Sequence, residues 1–268
     1  MTRETRAAFE SVPIETVQAY WDARPCNIRH STLPVGTREY FDEVEARRYY
    51  VEPHIPRFAD FDRWKGKSVL EIGCGIGTDT IGFARAGARV TATDLSAESL
   101  AIARTRAGVY GLTDRIDFVQ ANVEDLTSAL PVERFDLVYS FGVIHHTPHP
   151  ARAVAEIRSY MGPESELRLM VYAQNSWKRI MIDAGIDQPE AQSGCPIAYT
   201  YTHDEARQLL AGFEIVGMSQ AHIFPFRIDE YIKHRYELQP WFAAMPKEMF
   251  EALAANLGWH LLIVARRT

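Results

Sequence analysis

Val69-Leu70-Glu71-Ile72-Gly73-Cys74-Gly75-Ile76-Gly77 sets a short apolar strand directly against a glycine loop, and Asp94 closes the next apolar stretch. Small apolar residues carry a chain to the edge of a sheet, Gly73 and Gly75 permit a turn that a side chain would block, and a ligand then approaches bare backbone. A carboxylate about 20 positions further on suits the hydroxyl pair of a ribose. Strand, loop and acid together predict an α/β domain that holds a nucleoside.

The spacing of the loop narrows the ligand. A dinucleotide loop runs G-x-G-x-x-G, its third glycine letting the helix pack close beneath a pyrophosphate. Here the third glycine is displaced: Thr78 stands at its place, and Glu71 precedes the loop, an acid that opposes a phosphate and suits a cation. Glu71-x-Gly73-x-Gly75-x-Gly77 with Asp94 resembles the cofactor site of the class I S-adenosylmethionine-dependent methyltransferases. That resemblance implies a Rossmann-like seven-stranded α/β sheet, mostly parallel with an antiparallel last strand, with helices on both faces and S-adenosyl-L-methionine as methyl donor.

Composition bounds the rest. The chain has 268 residues, 47% of them hydrophobic, enough for one large α/β domain with modest caps. It has no apolar run of about 18 residues and no basic-then-apolar leader at Met1, so a cytoplasmic protein without a membrane span is expected. Cys26, Cys74 and Cys195 are odd in number and lack C-x-x-C spacing, which argues for reduced thiols. A formal charge of −6 without a Lys/Arg-rich stretch leaves no footprint for nucleic acid. The expected partner is a small-molecule acceptor, with homodimerisation left open.

Apolar strands alternate with helical stretches through the middle of the chain, the pattern of repeated βαβ units. Strands are predicted over 68–72, 89–93, 116–120, 135–140 and 166–172, and helices over 78–86, 97–108 and 151–160. Ser96 is placed to cap the second helix, and Gly87 and Gly108 sit where helices end. Residues 1–65 read as an N-terminal helical cap, with Tyr40, Val44 and Arg47 at helical spacing in the segment from Glu39 to Tyr50. The methyltransferase domain spans 66–268, with a helix over 203–210, a strand from Phe213 to Met218 or His222, and a final strand over 260–266. Two stretches, about 174–200 and 224–258, are too long for simple connections and are expected to be functional cap insertions.

The resemblance also distributes roles. Gly73, Gly75 and Gly77 would face the methionine and ribose portions, and Asp94 would accept from the ribose hydroxyls. Leu95 would pack on the adenine. Asn122 and Val123 stand in the post-strand stretch that meets the adenine edge, although Glu124 is a second acceptor there. Asp79 would pair with the methionine amino group. The run Tyr139 to Thr147 is similar to the post-strand motif of small-molecule methyltransferases, and carbonyls of Ser140 and Phe141 would line a sulfonium. It lacks the Asn/Asp-Pro-Pro-aromatic run of enzymes that methylate adenine or glutamine amides.

Methyl transfer is an in-line displacement that rests on holding the nucleophile correctly and excluding water. His145 and His146 are the residues placed to take a proton from a hydroxyl or amine acceptor. No metal site is read from His145-His146-x-x-His149, because Pro148 and Pro150 disrupt the helix that would align such ligands. Tyr20, Tyr172 and Tyr199 are candidates for the acceptor wall, and Arg24, Arg47, Arg48, Lys178 and Arg179 for a carboxylate. An alternative on the same fold is an enzyme that cyclises S-adenosylmethionine or transfers its aminocarboxypropyl arm, releasing methylthioadenosine.

Overall fold

The computed structural model describes residues 3–187 and 194–268. Among them, eight strands form one sheet: β1 (Ser68–Ile72), β2 (Arg89–Asp94), β3 (Ile116–Gln120), β4 (Phe135–Phe141), β5 (Met161–Ala173), β6 (Thr200–Tyr201), β7 (Phe213–Ala221) and β8 (His260–Arg267). Their order is β3-β2-β1-β4-β5-β8-β7, with the two-residue β6 beside the end of β5. Pairing is parallel from β3 to β5, and β8 runs antiparallel to both β5 and β7. This is a Rossmann-like methyltransferase sheet. The reversed last strand is as the resemblance implied; β6 is an addition.

Successive side chains of a strand point to opposite faces, so a central parallel strand must be apolar at every position. In β1, Leu70 and Ile72 enter one apolar cluster and Val69 the other; in β4, Val138 opposes Leu137 and Tyr139; in β5, Leu169 and Val171 oppose Met170 and Tyr172. Helices therefore cover both faces. The helix Thr78–Ala86 has the expected bounds, whereas the next runs Ala97–Tyr110 and stops at Gly111 rather than Gly108. Gly111 takes the left-handed φ of 67° that ends a helix, and Ser96 Oγ accepts from Ser99 N–H at 3.0 Å at the other end. Strand β5 begins five residues before its predicted start, because Met161 pairs with Phe135 ahead of a register shift that takes up three extra residues between Met161 and Glu166.

The N-terminal segment is helical over Arg3–Glu10, Ile14–Ala23, Arg38–Val51 and His54–Ala59. Tyr40, Val44 and Arg47 all turn inward from the third of these, as their spacing predicts. A fully buried cation pins that helix to the core. Arg106 donates to Thr78 Oγ1 at 2.6 Å and to the Phe41 carbonyl at 3.2 Å, with Glu45 at 3.3 Å as its counter-ion.

The insertion at 224–258 forms three short helices, Ile228–Tyr231, Pro240–Ala243 and Lys247–Leu257. It packs against the N-terminal segment: Arg47 donates to the Tyr231 carbonyl at 2.7 Å, and Tyr50 meets Tyr236 edge-on at 4.7 Å. The insertion at 174–200 carries the helix Trp177–Asp183 and β6. Its residues 188–193 lie outside the described residues.

Candidate active site

A cavity of about 500 Å³ opens at the carboxyl ends of β1, β2 and β4, the place where parallel α/β sheets bind ligands. Its floor is the glycine loop. Gly73 has φ 72°, and a Cβ built there would lie 2.1 Å from Val143 Cγ2, so the close approach of the post-β4 loop requires glycine. Gly75 faces open space and donates its N–H to Asp94 Oδ2 at 2.7 Å. The other oxygen of Asp94 accepts from Ser96 N–H at 2.8 Å. Burial pushes this carboxyl up to about 6, with the two backbone bonds working against the shift.

Around the loop the wall is acidic. Glu71 is buried and accepts from Thr80 Oγ1 at 2.5 Å; burial first, and then the charge of Asp79, push its carboxyl up. Asp79 lines the cavity, yet its oxygens accept from Arg48 at 2.9 Å, Tyr49 at 2.9 Å and Tyr139 at 3.0 Å. Burial opposes the charge of Arg48, but Asp79 and Glu52 outweigh it and hold the guanidinium protonated. Arg48, one of the five cations singled out in the sequence, thus reaches the cavity from the N-terminal segment as half of an ion pair.

On the β2 and β3 side, Leu95, Asn122 and Val123 line the cavity. Glu124 turns away from it, accepting from Thr147 Oγ1 and from His149 N–H at 2.7 Å, and so holds the post-β4 loop. Of the two acceptors left open there, only Asn122 faces the ligand space.

Several residues predicted for the site lie behind its wall. Gly77 caps the helix Thr78–Ala86 with φ 77°. Ser140 is fully buried, and its hydroxyl has no hydrogen-bond partner among the described residues. His145 is also fully buried, with neither ring nitrogen bonded among the described residues, and burial pushes its pKa well below the usual value. It packs 3.9 Å from Tyr172, centroid to centroid. Tyr199 is buried with its hydroxyl donating to the Pro148 carbonyl at 3.0 Å, and Tyr20 stands edge-on to Trp21 at 5.1 Å while Trp21 itself lines the cavity.

His146, Phe141 and Tyr172 do face the cavity. His146 Nδ1 lies 2.5 Å from the Ile197 carbonyl, which only accepts, so this nitrogen carries the proton and Nε2 becomes the basic one.

The far part of the cavity was not legible in the sequence. Tyr172 stacks on Trp259 at 4.4 Å, and Glu52, His222 and His260 line the same space, beside Ile223, Phe226 and Phe242 of the late insertion. Of these, Tyr172 is the one that the sequence marks as a candidate for the acceptor wall. Burial pushes the imidazole of His222 down to about 3 and that of His54 to about 4, and that of His260 well below its usual value.

Comparison with known proteins agrees with this geometry. Residues 70–169, a little over a third of the chain, match the family described as a methyltransferase domain. The ubiquinone biosynthesis O-methyltransferase of Actinobacillus pleuropneumoniae serotype 7 (strain AP76) is 35% identical over 105 residues, 38% of this chain and 44% of that protein. An uncharacterized protein of Synechococcus sp. is 39% identical over 108 residues, 40% of this chain and 25% of the relative. The chain spans less than half the length of these curated relatives. Among solved structures, magnesium protoporphyrin IX methyltransferase from Synechocystis PCC 6803 with bound SAH superposes with a TM-score of 0.63 at 16% identity, over 96% of this chain and 100% of that one. The [4+2]-cyclase SpnF superposes with a TM-score of 0.54 at 18% identity, over 99% and 95%. The core of this chain thus matches a methyltransferase domain over residues 70–169 and shares the fold of solved methyltransferases.

None of the helices among the described residues is long and apolar enough to cross a membrane.

Proposed function

We propose that this chain transfers a methyl group from S-adenosylmethionine to a small organic molecule, with the glycine loop and Asp94 as donor site and the aromatic and histidine-lined chamber as acceptor site. The observation that carries this is the single cavity lined both by Gly73, Gly75 and Asp94 and by Tyr172, Trp259 and the late insertion. The cofactor fits these residues on two counts. Gly75 lines the cavity with open space where a Cβ would stand, so a ligand can approach bare backbone, and the Asp94 carboxylate stands at the edge of the loop with a second lone pair on each oxygen.

Asp94 would hold the ribose hydroxyls, Leu95 and Val123 the faces of the adenine, and Asn122 its edge. Arg48 suits the methionine carboxylate and the Asp79–Glu71 side its ammonium, so the ion pair meets both charges of the amino acid. When bound, the cofactor supplies an electrophilic methyl on a sulfonium. The ring of Phe141 lies beside that space, where an aromatic face favours a cation by about 0.5–2 kcal/mol. His146 Nε2 is the group that would take a proton from an acceptor hydroxyl or amine. The names of the ubiquinone relatives favour a hydroxyl, and the apolar, ring-rich walls favour a planar or hydrophobic acceptor.

Incubation of the protein with S-adenosylmethionine and a metabolite extract, followed by mass spectrometry, tests the proposal. One metabolite should gain a methyl group in step with S-adenosylhomocysteine. Methylthioadenosine formed without a methylated product would replace it with the cyclising or aminocarboxypropyl alternative.

A further inference from the structure

Three segments of the chain meet at the wall of the chamber next to Phe141, where Glu52, His222 and His260 line the cavity and His54 stands behind His260. Glu52 ends the helix Arg38–Val51, His54 begins the helix His54–Ala59, His222 follows β7, and His260 opens β8. The His260 ring stands edge-on to Phe141 at 5.4 Å. The ligating atoms of Glu52, His222 and His260 all lie within 4.8 Å of one another, and Glu52 Oε1 is 3.7 Å from His260 Nε2. The imidazoles of His222 and His260 lie nearly parallel, 4.6 Å apart.

Two further features aim these rings. His260 Nδ1 is 2.9 Å from His54 Nε2, so one of the two carries the shared hydrogen. With the hydrogen on His260 Nδ1, its Nε2 keeps the lone pair on the side of Glu52. His222 adopts a left-handed backbone with φ 73°, uncommon for a residue with a Cβ, and its carbonyl accepts from Trp259 N–H at 2.8 Å. Strain of this kind is retained where the surrounding structure holds a side chain in a required direction. Of the nearby cations, Lys178 pairs with Asp187 at 3.3 Å, and Arg48 pairs with Asp79 at 2.9 Å while also feeling the charge of Glu52.

We propose that Glu52, His222 and His260 bind a divalent first-row transition ion in the acceptor chamber, with His54 orienting His260 from behind. Two imidazoles and a carboxylate suit zinc, iron, cobalt or manganese rather than calcium or magnesium. Metal–ligand bonds of about 2.0–2.2 Å require the three side chains to draw together by small rotations. Three protein ligands leave positions open to the cavity, and the second nitrogen of a metal-binding histidine is commonly held as His54 holds this one. Resting on the methyl-transfer reading, the ion would hold an oxygen or nitrogen of the acceptor beside Phe141.

The test is metal binding by the full chain after chelator treatment, with Co²⁺ as the probe followed by its visible absorption and Zn²⁺ as competitor. One Co²⁺ per chain is expected, displaced by Zn²⁺. His222→Ala and His260→Ala should each abolish the signal, Glu52→Gln should strongly weaken it, and His54→Ala should weaken it by about 10- to 100-fold. His234→Ala, outside the cluster, should leave it unchanged. S-adenosylmethionine titration of the same variants reports on folding and separates the two proposals: metal binding without cofactor binding would sink the methyl-transfer reading and leave the ion site standing. A wild-type chain that takes up neither Co²⁺ nor Zn²⁺, or Glu52→Gln, His222→Ala and His260→Ala variants that bind Co²⁺ as the wild type does, would overturn the metal site.

Discussion

Asp94 carries more of the proposed donor site than any other side chain, and its protonation should set the acid limit of cofactor binding. Only the ionised carboxylate leaves both oxygens free to accept ribose hydroxyls, and burial has moved its pKa up to about 6. Folding therefore favours the protonated group, so the contribution of Asp94 to stability falls as pH rises from 3.8 toward 6, while affinity for the cofactor rises over the same interval. Calorimetric titration at pH 5 and pH 7.5 should show clearly weaker binding at the lower pH, and Asp94→Asn should flatten the difference. Asp94→Ala should weaken cofactor affinity by several tens of fold with the fold intact, a loss of about 2 kcal/mol; unchanged affinity would mean that the ribose is held elsewhere. Gly73 is limiting in a different way. Gly73→Ala combines a left-handed φ with a clash against Val143 and should destabilise the protein by about 2–4 kcal/mol, read from denaturant midpoints. Adding Val143→Ala should recover the part due to the clash and none of the part due to φ.

At the scale of elements, the strands and helices of the core were legible because each is written in a local period. The strands at 68–72 and 116–120 and the helix at 78–86 fall where their apolar pattern and flanking glycines put them. Glycine alone was ambiguous as a stop signal: Gly108 lies within the helix and Gly111 ends it, since a helical backbone tolerates glycine and only the left-handed residue marks the end. The two-residue β6 had no signature, being paired only because the insertion returns alongside Tyr172 and Ala173. The N-terminal helices depend on contacts with the core. Arg106→Met leaves Thr78 and the Phe41 carbonyl without their donor and Glu45 with Arg85 alone, and should cost about 3 kcal/mol. Proteolysis should then cut within residues 38–51 before the sheet is lost; simultaneous loss of both would show that the helix and the sheet unfold as one unit.

For the whole molecule, the late insertion leaves and re-enters the sheet at adjacent points, since Ala221 pairs with His260 and Trp259 N–H bonds the His222 carbonyl. Replacing residues 224–258 by a tight turn should preserve cofactor binding within a few fold and eliminate methyl transfer, because the proposed donor side of the cavity is lined from β1, β2 and β4 and the insertion lines the part proposed for the acceptor. Loss of cofactor binding in that variant would assign the insertion to the donor site as well. The glycine loop and Asp94 of the proposed donor half lie in contiguous runs that one dimension shows: a loop that needs positive φ, and an acid one strand later. These are local energies, set by steric maps and side-chain periodicity. The proposed acceptor half rests on contacts such as that between His260 and His54, 206 positions apart. Their meeting follows from β8 running antiparallel between β5 and β7, which sets His260 beside Tyr172 and Ala221. No spacing in the chain encodes that neighbourhood. It arises when burial of both sheet faces fixes the strand order, so the glycine loop and its acid were written in the sequence and the chamber proposed for the acceptor was decided by the packing of distant segments.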